Sequence, residues 1–210
     1  MLNKKPFFIS FEGIEGSGKS YQSKILFKKI KKLNIPVVFT REPGGNPSAE
    51  KIRNLILSGK INKFDVLTDT LLYLAARNEH IKKFINPNLK AKQIVICDRF
   101  IDSTYAYQST NNKVIKKLID FIHKIILSKC KPDITFILTV NINKAFKRLR
   151  KRKKLNRYDK FPRSFYVNAQ KTFVSIAKKN KNRCFVIDNS HDKDITEKRI
   201  FSFFQKKYKK

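Results

Sequence analysis

The chain has 210 residues, 41% of them hydrophobic and 18 of them Phe, enough for one α/β core and too apolar for a disordered chain. No apolar run approaches the ~20 residues of a membrane span. Lys and Arg number 48 against 16 Asp and Glu, a net charge of +32, which points toward polyanions as partners. The basic residues are spread along the whole chain, however. The abundant Lys, Asn, Ile and Phe are also what AT-rich codons encode. A solvated basic surface is therefore expected, with no specific nucleic-acid partner. Cys97, Cys130 and Cys184 are odd in number and widely spaced. They predict buried, reduced thiols in a cytoplasmic protein, and no Cys/His spacing suggests zinc. Met1 to Pro6 is short and basic and leads into a strand, with no signal-peptide core.

The first predicted element is a buried strand, Phe7 to Glu12. Directly behind it stands Gly13-Ile14-Glu15-Gly16-Ser17-Gly18-Lys19-Ser20, the Gly-x4-Gly-Lys-Ser pattern of a phosphate-binding loop. Glycines let such a loop turn its backbone N–H groups toward an anion, and the helix behind it adds its positive dipole end. Lys19 is placed to reach the outer phosphates, and Ser20 to ligate Mg²⁺. The chain is thus predicted to bind a nucleoside triphosphate. A helix from Lys19 to Leu33 follows, with Ile25, Leu26, Ile30 and Leu33 on one side. Pro36 opens a strand over Val37 to Thr40, which ends at the loop Arg41-Glu42-Pro43-Gly44-Gly45.

Ser48 is expected to cap a helix from Ala49 to Leu57, with Gly59 beyond its end. A long helix is predicted over Asp65 to Ile85, stopping before Pro87. Ile94 to Cys97 is a short strand ending at Asp98-Arg99, followed by DSTYAYQ from Asp102 to Gln108. Helices are predicted for Lys113 to Lys129, Asn143 to Lys153, Ser164 to Lys178 and Ile195 to Tyr208. Strands are predicted for Ile134 to Val140 and Cys184 to Ile187. Arg148 to Arg163 is polar and basic and reads as a mobile loop. Apolar strands alternating with helices predict one α/β domain over residues 1–210. Its sheet is five-stranded, parallel and doubly wound, with helices on both faces and a short basic lid at about 148–163.

Ligands of such sheets bind beyond the carboxyl ends of the strands. Three motifs fall there: the phosphate loop, the Arg41 to Gly45 loop, and Asp98-Arg99 with the run after it. Asp98 occupies the position of an acid that steers Mg²⁺. The next residue is Arg99, not the second acid of a water-activating ATPase, and an Arg there suits a second phosphate group. Tyr73 and Arg77, four apart on a predicted helix, can offer a ring and a hydrogen-bonding edge to a planar base.

Taken together, FEGIEGSGKS at Phe11 to Ser20, TREPGG at Thr40 to Gly45, LYLAARNEH at Leu72 to His80, DRF..ST.AYQ at Asp98 to Gln108 and KPD at Lys131 to Asp133 resemble the bacterial thymidylate kinases. These are phosphate-loop nucleoside monophosphate kinases that make dTDP from dTMP and ATP with Mg²⁺. The resemblance implies that Gly13 to Ser20 hold the ATP phosphates, and that Ser20 and Asp98 serve the metal. It implies that Glu15 faces the sugar 3′-hydroxyl and that Arg41 and Arg99, with Arg53, meet the dTMP phosphate. By the same resemblance Tyr73, where the family usually has Phe, stacks on thymine. Arg77 and Gln108 bond the base edge with Ser103 and Thr104 in support, and Tyr107 presses on the sugar where a 2′-hydroxyl would sit. Family members place a catalytic Arg either in the phosphate loop or in the lid. Gly16 stands at the loop position here, which implies a lid Arg among Arg148, Arg150, Arg152 and Arg157, with Arg152 first and Arg157 second. The lid's usual acids are thinned out, with Lys153, Lys154 and Lys160 in the region. A homodimer through helices such as Asp65 to Ile85 is implied too.

Two other readings compete. A kinase of another nucleotide or of a deoxynucleoside is opposed by Arg41 and Arg99, which ask for a phosphorylated acceptor. A nucleic-acid-stimulated ATPase lacks the acid pair at the third strand. NKFD at Asn62 to Asp65 matches a guanine-reading pattern but lies too early in the chain for that role.

Overall fold

The computed structural model describes residues 5–110, 112–128, 130–152, 155–190 and 192–209. The predicted Met1 to Lys4 start, the helix end at Lys129, and Lys153 and Lys154 lie outside them. Strands β1 (Phe7–Glu12), β2 (Val37–Arg41), β3 (Ile94–Asp98), β4 (Ile134–Thr139) and β5 (Cys184–Asp188) form one sheet in the order β2-β3-β1-β4-β5. Every pairing is parallel. The apolar runs are continuous because both faces are covered. Phe7, Ile9 and Phe11 pack with Leu26 and Ile30 of helix α1 (Lys19–Lys32). Phe8 points the other way and meets Val95, Cys97 and Leu127. The three cysteines are free and buried. No helix among the described residues is long and apolar enough to cross a membrane.

Helices α2 (Pro47–Leu57) and α3 (Val66–His80) follow the second strand. Asn46, not Ser48, caps α2: its side chain accepts from the Ala49 N–H, and Pro47 takes the first helical position, where no N–H is needed. Asp65 is the N-cap of α3 rather than its first residue. The expected stop before Pro87 does not occur. The helix widens into a π segment over Ile81–Ile85 and continues as α4 (Asn86–Lys90). Pro87 falls in the first turn of α4, directly behind the π segment.

Helices α5 (Ile101–Gln108), α6 (Lys113–Leu127), α7 (Ile142–Arg150), α8 (Arg163–Lys179) and α9 (Lys193–Tyr208) complete the fold. The segment expected to be a mobile loop is not uniformly irregular. Asn156 and Asp159 make a reciprocal capping box that closes a 3-10 turn over Arg157–Lys160, and Arg157 and Tyr158 are buried.

The chain leaves adjacent strands β1 and β3 toward opposite faces. After β1 it enters α1, which packs on the Phe7–Ile9–Phe11 face. After β3 it enters α5 and α6, whose Ile101 and Leu127 pack on the Phe8 face. A crevice must open between these exits. Register brings the strand ends level there, with Phe11 and Arg41 both opposite Asp98.

Candidate active site

The crevice holds a cleft lined by Glu15, Lys19 and Ser20 of the phosphate loop, by Arg41 and Arg53, and by Asp98 and Arg99. Tyr73 and Arg77 of α3 share it with Ser103, Thr104, Tyr107 and Gln108 of α5, and Arg152 closes one side. Motifs from five parts of the chain thus meet at one place.

The loop Gly13–Ser20 wraps the start of α1, with Gly18 in the left-handed region at the N-cap. Gly16, at φ +75°, lies against α7: a Cβ built there stands 2.5 Å from the Ala145 carbonyl oxygen. That backbone contact closes the position to any side chain, an arginine included. Ile14 is buried beneath the loop and packs with Ile137 and Ala145. Ser17 offers its carbonyl to Asn189 Nδ2 at 2.7 Å. Arg148 ties the loop from outside, donating to the Gly16 carbonyl at 2.9 Å and to the Asn189 carbonyl at 3.1 Å. Lys19 Nζ lies 3.4 Å from the Ile14 carbonyl. Burial, aided by Arg99, draws its pKa down to about 8, against the pull of Asp98 and Glu15.

Arg99 sits at φ +75° directly after β3. It donates to the Gly13 carbonyl and Ser103 Oγ, each at 3.0 Å, and to Glu15 Oε1 at 2.6 Å. Tyr107 donates to the other Glu15 oxygen at 2.7 Å. Burial alone would raise the Glu15 carboxyl, but Arg99 and Lys19 outweigh it and hold it below the usual carboxylate range. Arg41 reaches Glu50 Oε2 at 3.1 Å, and Arg53 donates to the Pro43 carbonyl at 2.6 Å. Burial, with Arg41 beside it, lowers the Arg53 pKa. Three guanidiniums around one cleft have the charge and the planar forks that could meet a doubly charged phosphate.

Arg77 is 2% exposed. It meets Glu42 through Nε at 2.8 Å and Nη2 at 2.7 Å, and donates to Thr104 Oγ1 and the Phe100 carbonyl at 2.7 and 3.0 Å. Its remaining direction faces His123 Nε2 at 3.0 Å. It is a fixed floor, and any contact with a base edge is shared with these acceptors. Glu42 lies within TREPGG, yet its role as the anchor of Arg77 was not read from the sequence. A lone acid between Arg and Pro carries no periodic signal, and its partner is 35 residues away.

His123 is 5% exposed. Burial, then the Arg77 charge, pulls its pKa from 6.5 to about 3. The neutral ring therefore contributes stability fully above pH 6.5, lost as pH falls toward 3. By pH 5 the loss is roughly 2 kcal/mol. His123→Gln is expected to shrink the drop in melting temperature between pH 7.5 and 5. Parallel pH slopes in the two proteins would show that His123 does not titrate this way.

Among the lid arginines the structure separates the candidates. Arg152 lines the cleft and donates to Asp159 Oδ1 at 2.7 Å. Arg150 is exposed. Arg157, the second choice for the catalytic cation, is not brought to the phosphates. The 3-10 turn rotates it inward, where it pairs with Asp69 in the first turn of α3 and faces the rings of Phe64 and Tyr158 at 5.7 and 5.2 Å. Tyr158, missed by sequence reading, lines the cleft. Its signal was the aromatic set Tyr158, Phe161, Phe165 and Tyr166, whose rings pack on one another.

A parallel sheet with a phosphate loop on its central strand, facing an arginine-lined acceptor cleft, defines a phosphate-loop nucleoside monophosphate kinase fold. The Thymidylate kinase family model matches residues 11–200. The thymidylate kinase of Wolbachia pipientis wMel is 45% identical over 190 residues, covering 89% of this chain and 93% of its own. That of Ehrlichia chaffeensis is 44% identical over 193 residues, covering 90% and 92%. A crystal structure of thymidylate kinase from Ehrlichia chaffeensis superposes with a TM-score of 0.78 at 36% identity, covering 96% of this chain and all of that one. The chain belongs to the thymidylate kinase family.

Proposed function

We propose that this protein transfers the γ-phosphoryl group of ATP to dTMP, giving dTDP and ADP in the cytoplasm, as a step toward dTTP. The observation that carries this reading is the meeting of Lys19 with Arg41, Arg53 and Arg99 in a cleft whose other walls are Tyr73, Tyr107 and Gln108. One end suits two phosphates and the other a planar base. The chain's residues do little covalent chemistry. They align an acceptor phosphate oxygen with the γ-phosphorus and meet the charge that spreads in transfer. Glu15 and Tyr107 face the sugar, Tyr73 stacks on the base, and Gln108 reads its edge. Arg152 and Lys19, which line the same cleft, supply cations, and closure of the lid excludes water that would hydrolyse ATP.

The residues fit Mg²⁺. Asp98 Oδ1 is buried without a hydrogen-bond partner among the described residues, and Ser20 lines the same cleft. Among those residues no group of three or more His, Cys, Asp or Glu could hold a metal. That is the pattern of an ion held by one carboxylate, one hydroxyl and the substrate's phosphates. When bound, Mg²⁺ supplies charge neutralisation at the triphosphate.

A homodimer is supported by exposed apolar side chains on three packed helices: Leu55 of α2, Leu67 and Leu71 of α3, and Phe121 and Ile125 of α6. Sedimentation that gives a monomer at micromolar concentration would rule it out.

Tyr73→Ala tests the acceptor assignment. It is expected to raise KM for dTMP by about tenfold, from lost stacking and area burial, with little change in KM for ATP. Equal effects on both substrates would make Tyr73 a packing residue only.

A further inference from the structure

We propose that Tyr158, set by the Asp69–Arg157 ion pair, fixes which way round the Gln108 amide stands, so that the cleft selects a pyrimidine carrying a proton at N3. The inference rests on the reading of this cleft as the dTMP site. Four side chains from three elements form the relay. Asp69, on α3, receives Arg157 Nη2 at one carboxylate oxygen and the Tyr158 hydroxyl at the other, the latter at 2.6 Å. Gln108, on α5, donates from Nε2 to the Tyr158 oxygen at 2.9 Å.

The polarity of this chain follows from what each group can do. A carboxylate paired with a guanidinium only accepts, so the Tyr158 proton is committed to Asp69. Tyr158 keeps that proton: burial, with the Tyr73 phenol and Asp69 beside it, pushes its pKa well above the ordinary value. Its oxygen then has only lone pairs to offer. The Gln108 amide must present NH₂ to it, which leaves the Gln108 carbonyl oxygen for the cleft. A free glutamine turns its amide over at little cost and reads either a donor or an acceptor. Here the turned amide would set its carbonyl oxygen against a phenol oxygen with no proton to give. Gln108 is 6% exposed, so water cannot repair that clash cheaply.

The consequence is chemical selection. Thymine carries N3–H, which the carbonyl oxygen accepts. Cytosine presents a lone pair at N3, which the same oxygen repels. Because Arg157 and Tyr158 come from the turn after α7, the base is read correctly only when this segment is docked on α3. That gives Arg157 a positioning role despite its distance from the phosphates.

The test is kcat/KM for dTMP and for dCMP, with ATP, on the full chain as wild type, Tyr158→Phe and Asp69→Asn. Wild type is expected to prefer dTMP. Tyr158→Phe keeps the ring but frees Gln108 to turn, and the dTMP/dCMP ratio should fall about tenfold. Asp69→Asn should lower it further. Its single carbonyl oxygen goes to Arg157, and its NH₂ then faces Tyr158. The phenol proton swings to the Gln108 carbonyl oxygen, and the Gln108 NH₂ faces the cleft. A merely structural role would reduce turnover of both nucleotides alike, and an unchanged ratio in Tyr158→Phe overturns the relay. If Asp69→Asn fails to fold, as judged by circular dichroism, the Tyr158→Phe ratio decides alone. A wild-type protein with no preference for dTMP over dCMP would instead remove the substrate reading beneath the relay.

Discussion

Lys19→Ala is expected to lower kcat by roughly 10²–10³-fold or more while the protein stays folded, as judged by its melting temperature. The ammonium is the one cation of the Gly13–Ser20 loop, and Asp98 and Glu15 act on it in the same cleft. Its removal takes a positive charge from where negative charge grows on the transferring group, so the loss belongs to the transition state. The fold does not rest on it. Among the described residues its one hydrogen bond runs to the Ile14 carbonyl at 3.4 Å, near the limit of such contacts. Burial disfavours the charge, as its lowered pKa records. A well-folded variant with unchanged turnover would remove the phosphate loop from the chemistry.

Arg152→Ala should lower kcat by about 10³-fold with little change in KM for dTMP, since a cation between the substrates matters mainly in the transition state. Gly16 cannot supply it, because its Cβ position is filled by the Ala145 backbone. Arg148 is spent on the Gly16 and Asn189 carbonyls, and Arg157 on Asp69. Arg152 lines the cleft with Asp159 holding one of its nitrogens, and its side chain remains 40% exposed. Arg152→Lys should rescue only in part, because a point charge lacks the planar fork. Alanine at Arg148, Arg150 and Arg157 provides the comparison in one assay. If none of the four variants loses turnover, the catalytic cation lies elsewhere.

The strands were legible because they are buried on both faces and so read as short apolar runs, Phe7 to Phe11, Ile94 to Cys97 and Ile134 to Leu138, broken only by Ser10 and Thr135, whose hydroxyls pair with each other. Their order across the sheet was not read, since parallel pairing joins residues such as Phe7 and Ile94 that share no local signal. Helix α5 was seen as a motif and not as a helix. Its Asp102, Ser103, Thr104 and Gln108 are buried polar residues aimed at partners, so the usual contrast between an apolar and a polar face is missing. The site was legible wherever a motif carried its own chemistry, as at Gly13 to Ser20 and Asp98-Arg99. It was illegible where function depends on a distant partner. Glu42 takes its meaning from Arg77, and Arg157 takes its from Asp69, 88 residues away. Charge counting made Arg157 a catalytic candidate, whereas the capping box of Asn156 and Asp159 turns it into the interior.

The proposed acceptor is a phosphorylated thymine nucleotide held by Arg41, Arg53 and Arg99. One coupled assay of ADP release tests it directly, with ATP and Mg²⁺ and dTMP, dUMP, dCMP or thymidine in turn. The predicted result is the highest kcat/KM for dTMP and no measurable turnover of thymidine, which has no phosphate for the three guanidiniums. Thymidine turned over as well as dTMP, or ADP release that ignores the acceptor altogether, would contradict it.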